Sequence, residues 1–206
     1  MKKLAILVFV FLLSTALCAQ ERKNRIDAFL GVYVPSGEVE FNDLSFDLKT
    51  GGSLGVAYHY ALNKYIRIGG FFDVNAFSSE TETVVYVPLG ETADMDFDVS
   101  TAAIGVSLEL GVPIERFELY GRANVGPAFN SLTVNIDWDH FFGKDDDHDN
   151  GVALYLAFEG GARYHINELI DLGLGFKYVR NRQKFDDIEK LDLGGISVTA
   201  AIGFTF

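Results

Sequence analysis

The stretch from Leu193 to Phe206, LGGISVTAAIGFTF, constrains the fold more than any other. Ile196, Val198, Ala200, Ile202, Phe204 and Phe206 share one parity, and Gly195, Ser197, Thr199, Ala201, Gly203 and Thr205 the other. A period of two is that of a β-strand, here with one apolar face and one small or hydroxylated face. A strand of roughly ten such residues is long enough to cross a bilayer at a tilt of about 45°.

The same alternation recurs along the chain. Ile26 to Val34 sets Ile26, Ala28, Leu30, Val32 and Val34 against Asp27, Phe29, Gly31 and Tyr33, and Pro35-Ser36-Gly37 ends it. Leu54, Val56, Tyr58 and Tyr60 form the next apolar face, and Leu62-Asn63-Lys64 leads directly into Ile66, Ile68, Phe72 and Val74. After a polar segment from Ser78 to Ser100, with Pro88-Leu89-Gly90 at its expected tip, Ala102 to Val112 alternates most regularly of all. Pro113-Ile114-Glu115 reads as a short turn before Phe117, Leu119, Ala123 and Val125. Pro127 cannot donate a ladder hydrogen bond and is expected near a rim, where pairing ends or bulges. The longest loop is expected next, with Trp138 and the acidic run Asp145 to Asp149. Val152 to Tyr164 follows, then the turn Ile166-Asn167-Glu168, Leu172 to Tyr178, a charged loop from Arg180 to Asp192, and the closing strand.

These are eight strands whose connections alternate long and short. The expected fold is all-β, an eight-stranded antiparallel up-and-down barrel. Eight strands leave an interior just wide enough for side chains, so the bulky aliphatic set belongs outside, against lipid, and the small and charged set inside. A soluble ligand-binding barrel would need these faces reversed. Tyr58, Tyr60, Phe117, Tyr164, Phe204 and Phe206 fall near the short-turn end, as an interfacial aromatic girdle would.

Composition narrows the function. A net charge of -12 with 22% charged residues argues against nucleic-acid binding, which needs a basic stripe. The one long apolar run is at the start, where Met1-Lys2-Lys3 precedes Leu4 to Leu17 and the small-residue site Cys18-Ala19. Residues 1–19 read as a cleaved secretory signal peptide and 20–206 as the barrel domain. Leu17 fits poorly before an acylated Cys18. Cleavage after Ala19 leaves no cysteine for disulfides or thiolate chemistry.

With the signal segment, the strand count, the loop asymmetry and the terminal Phe206, the chain resembles the small OmpA/OmpX-like outer-membrane β-barrel family of Gram-negative bacteria. The resemblance implies a transmembrane barrel with short periplasmic turns and long extracellular loops. It also implies insertion by the barrel-assembly machinery through a carboxy-terminal signal including Phe204 and Phe206, with outer-membrane lipid and lipopolysaccharide as neighbours.

The lumenal parity gathers Asp27, Arg67, Asp73, Glu109, Glu118, Arg122, Glu159, Arg163, Asp171 and Lys177. Opposite charges there should pair, since a lone buried charge costs several kcal/mol, and Glu159 with Lys177 is one expected pair. The expected role is structural or surface-interacting, with a salt-bridged, largely closed lumen. The alternatives are a small porin-like channel and, behind it, a lipid-modifying enzyme or a soluble periplasmic barrel. His59, Ser107 and Glu109 share the lumenal parity, but no strained nucleophile motif accompanies them, so no catalytic residue is assigned. Asp145, Asp147 and Asp149 have the spacing of a calcium-loop start, yet Asn150 and Leu156 stand where its Gly and Glu belong. No metal or cofactor is expected, and no surface partner is specified.

Overall fold

The computed structural model describes residues 23–41, 44–86, 91–138, 144–183 and 191–206, of which 38–41, 44–46, 82, 84–86, 91–93, 138 and 144–148 are described by their backbone alone. The expected signal peptide, with Cys18, and Pro88-Leu89-Gly90 therefore lie outside the described residues. Twelve strands follow in order: β1 Asn24–Pro35, β2 Glu38–Phe41, β3 Leu44–Asp47, β4 Gly51–Ala61, β5 Ile66–Ser78, β6 Glu82–Tyr86, β7 Glu91–Ile114, β8 Phe117–Trp138, β9 Lys144–His165, β10 Ile170–Gln183, β11 Leu191–Asp192 and β12 Gly195–Thr205. Eight of them, β1, β4, β5, β7, β8, β9, β10 and β12, pair antiparallel in that order, and β12 closes on β1.

The barrel is staggered. A circuit along paired residues runs Asn24, Tyr60, Ile68, Leu108, Ala123, Phe158, Tyr178 and Ile196, and re-enters β1 at Val34, ten residues beyond its start. This shear tilts the strands and places side chains from opposite walls at one height.

The short connections are built locally. The Asn63 side-chain oxygen accepts from the amides of Tyr65 (2.8 Å) and Ile66 (2.9 Å), and Asn167 does the same for Leu169 and Ile170 (both 2.8 Å). Such side-chain closure is why Asn favours turns. The third turn is Glu115-Arg116, one step later than the alternation indicated, because Pro113 and Ile114 still belong to β7. Glu115 has φ 54°, as a tight two-residue hairpin requires of its first residue.

The expected long loops are shorter than the alternation suggested, because β7, β8 and β9 run for 24, 22 and 22 residues, about twice what a tilted strand needs to cross a bilayer. The polar run from Lys144 to Asn150 is strand, paired with Ser131 to Asp137. Pro127 does not end β8. The β7–β8 ladder loses its pairing only at Ile104-Gly105 opposite Gly126-Pro127 and resumes in unchanged register. The two backbones come so close there that a Cβ on Gly126 would sit 2.0 Å from the Ile104 carbonyl oxygen, and one on Gly105 2.1 Å from that of Val125.

The outer wall carries an apolar belt. Leu30, Leu54, Val106 and Leu174 are 61–69% exposed, with Ile104, Phe129, Val152, Phe176 and Val198 beside them. The expected girdle also faces outward: Tyr58, Tyr60, Phe117, Tyr164 and Phe204 are exposed, Phe117 packs on Tyr164 at 5.1 Å, and the Tyr58 hydroxyl donates to Asn24. Phe206 is half-buried.

The belt ends abruptly toward the long strands. Its last row is Leu54, Val74, Ala102, Phe129 and Val152, and the next outward row is Gly52, Ala76, Ser100, Ser131 and Asn150. Beyond it the polarity of the wall inverts. Asp96, Asp98, Thr133 and Asn135 face out, while Phe77, Met95, Phe97, Val99 and Leu132 are buried inside with Leu191 and Leu193. A structure that is apolar-out along the belt becomes apolar-in above it.

Candidate functional site

From the short-turn end inward, the lumen is a stack of layers. The mouth is a cavity of about 610 Å³ enclosed by the three turns and both ends of the described chain, with Lys23, Lys64, Arg116 and His165 among its lining and Arg67 and Glu118 at its floor.

Above the floor lies a charged network spanning the bore. Arg67 donates to Glu118 (2.6 and 2.7 Å) and to Glu109 (2.9 Å). Arg163 donates to Glu118 (2.7 Å), Glu109 (2.5 and 2.8 Å) and Asp27 (3.2 Å), with its guanidinium 3.8 Å over the Tyr120 ring. Arg122 reaches Asp27 (2.5 Å), Glu109 (2.8 Å) and Glu159 (3.4 Å), and the Tyr120 hydroxyl donates to Glu159 at 2.6 Å. Arg25 closes the ring by donating to Asp27 (2.7 Å) and to Asp171. Each guanidinium meets two or more carboxylates, the arrangement that planar forks permit.

Against the network lies His59, whose Nε2 is 2.9 Å from Ser107 Oγ. Above it Lys177, on β10, and the Tyr155 hydroxyl, on β9, both donate to Asp73, on β5. Thr101, Asn130, Asn181 and Gln183 then form an amide-rich layer, in which Asn181 donates to Asn130 at 2.7 Å. The apolar cluster around Phe97, Leu132, Leu191 and Leu193 caps the stack, and the Tyr33 hydroxyl donates to the Leu193 carbonyl at 2.7 Å.

All ten charged residues singled out in the sequence line this bore, nine of them buried and Arg67 half-buried. Two partnerships differ from expectation. Glu159 and Lys177 are cross-strand neighbours, yet Lys177 turns across the bore to Asp73 and Glu159 takes Arg122 and Tyr120. Arg25, which the alternation omitted, is a full member. It precedes the first apolar residue, Ile26, but shares the parity of Asp27, and that parity was the signal for it.

Asp27, His59 and Glu109 bring one ligand atom each within 4.8 Å of one another, the spacing of a metal cluster. The geometry fits a cation poorly, because the Arg122 and Arg163 terminal nitrogens already occupy the carboxylate oxygens Asp27 Oδ2 and Glu109 Oε2. Ser107, His59 and Asp27 also line up in the order of a hydrolytic triad, with His59 Nδ1 3.9 Å from Asp27. His59 is 0% and Ser107 2% exposed, so the pair lies beneath packed side chains with no room for a substrate.

An apolar outer wall around a charged, filled bore is a protein folded for two solvents. The model for the outer membrane protein beta-barrel domain matches residues 9–204. This chain belongs to that family. It is a transmembrane barrel of the outer membrane, with short turns at one end and long hairpins at the other. Among solved structures it is similar to the outer membrane protein OprG from Pseudomonas aeruginosa (14% identity, TM-score 0.58, 90% of this chain and 97% of that one). It is also similar to Neisserial surface protein A (15%, TM-score 0.50, 89% and 97%) and to the outer membrane protease OmpT from Escherichia coli (10%, TM-score 0.53, 90% and 94%). These likenesses are of fold. No curated protein matches this barrel in sequence.

Proposed function

We propose that this protein is a closed, non-enzymatic outer-membrane barrel whose role is structural or surface-interacting and is carried by its extracellular hairpins. The observation that carries the reading is the filled bore. The charged network, the Asp73–Lys177 layer, the amide layer and the apolar cap follow one another along the axis, and an ion on that path would have to break several charge-assisted hydrogen bonds and then enter an apolar plug. The extension favours a surface role. β7, β8 and β9 continue past the belt as a paired sheet with its own apolar core, so they present a rigid polar wall rather than loose loops. Catalysis is disfavoured because the Ser107–His59 pair is sealed.

Planar-bilayer recording of the purified, folded barrel tests this. No stable conductance steps are expected, and steady open-channel steps would overturn the closed reading in favour of a small pore.

A further inference from the structure

The mouth at the short-turn end carries charge of the opposite sign to the molecule as a whole. In a chain of net charge -12, five of the side chains lining this cavity are Lys or Arg and three are Glu. At the floor Glu118 is already engaged on both oxygens by Arg67 and Arg163. The rim cations are under-paired. Lys64 meets only the Tyr65 ring, 4.7 Å away, and Arg116 only the Tyr164 hydroxyl, at 3.5 Å; neither forms an ion pair among the described residues. Deeper in, Arg25 is 3% exposed; its Nε and Nη2 donate to Asp27 and Asp171, and its Nη1 makes no hydrogen bond among the described residues. The cavity wall therefore holds a nearly buried guanidinium with a donor nitrogen still to give.

We propose that the mouth binds a small polyanion, a molecule with two or more phosphate or carboxylate groups, seated on Arg25 and held at the rim by Lys64 and Arg116. The three cations stand on separate elements: the start of β1, the turn between β4 and β5, and the turn between β7 and β8. A single charged group can satisfy only part of such a set, whereas several on one molecule can reach across it. The cavity of about 610 Å³ has room for one, being within the roughly 300–1,000 Å³ of small-molecule sites. Glu115 works against the anion. It lines the same cavity beside Arg116 and forms no ion pair among the described residues, so its carboxylate repels the occupant at short range.

Titration calorimetry of the folded barrel in a neutral detergent tests the proposal with tripolyphosphate, citrate and acetate. At least one of the two polyanions should bind once per barrel, roughly tenfold or more tighter than acetate, the order of one added charge-assisted hydrogen bond. The tighter of the two tells phosphate from carboxylate. K64M/R116M should weaken that binding roughly tenfold, while K49M/R182M, which removes two exposed cations from the opposite end, should leave it unchanged. R25K, which keeps the charge but has no third nitrogen, should also weaken it. E115Q should tighten it, a gain that no loss of folding can imitate, and it serves if the other variants do not fold. No saturable heat from either polyanion, acetate bound as tightly, unchanged affinity in folded K64M/R116M, an equal loss in K49M/R182M, or an E115Q variant that binds no tighter would each overturn the proposal. None of these outcomes bears on conductance, so the closed-barrel reading stands or falls separately.

Discussion

Lys177 and Asp73 stand on opposite walls of the barrel, four strands apart in either direction, and their side chains meet on its axis. Both are 1% exposed, so neither charge can turn to water when the other is removed. Asp73→Asn or Lys177→Met should each cost about 3–5 kcal/mol, the penalty of an uncompensated buried charge, whereas Asp73→Leu with Lys177→Met should recover much of it. Urea unfolding in lipid vesicles measures all three.

The belt boundary predicts a steep positional effect. Val106, on the belt, is 61% exposed, and in a water-soluble protein its replacement would matter little. Here Val106→Arg should cost about 2–4 kcal/mol, while Ser100→Arg, above the last apolar row, should cost about 0–1 kcal/mol. Equal costs would show that the boundary does not lie between these rows.

Where the ladder opens beside Pro127, Gly126→Ala puts a methyl against a carbonyl oxygen of β7 that cannot swing aside. A loss of about 1–3 kcal/mol is expected, as for other overpacked sites. Gly52→Ala is the control, since nothing lies within 4 Å of its added Cβ. It should be neutral or slightly stabilising.

An epitope inserted between Trp138 and Lys144, which joins β8 to β9, should be labelled on intact cells. One placed at Lys64, in the turn between β4 and β5, should be labelled only after permeabilisation. Insertion between Asp147 and His148 is a poorer choice, because His148 pairs with Thr133 within the sheet. Labelling of the Lys64 site on intact cells would invert the topology.

The eight barrel strands and their lipid-facing side were legible in the sequence, because a period of two survives wherever one face meets lipid. The extensions of β7, β8 and β9 were not. There Met95, Phe97, Val99 and Leu132 carry the apolar residues on the lumenal parity, so the alternation changes sign and its outward half reads as polar loop. The lumen's membership was legible from parity, apart from Arg25. Its partnerships were not, because they depend on the stagger. Adjacent strands suggest Lys177 with Glu159, but the ten-residue shear brings Asp73 to the same height from the far wall.

The inversion of polarity at the Ser100–Ser131 row has a consequence for how the strands find their alignment. Ordinary alternation detects a one-residue slip, which flips every side chain, but is blind to a slide of two. In this barrel a two-residue slide would carry serines into hydrocarbon or Phe129 into water, so membrane and solvent together act as a vernier for each strand. Even displacements, the errors that repetitive sheets tolerate most easily, are penalised here at every strand that crosses the boundary.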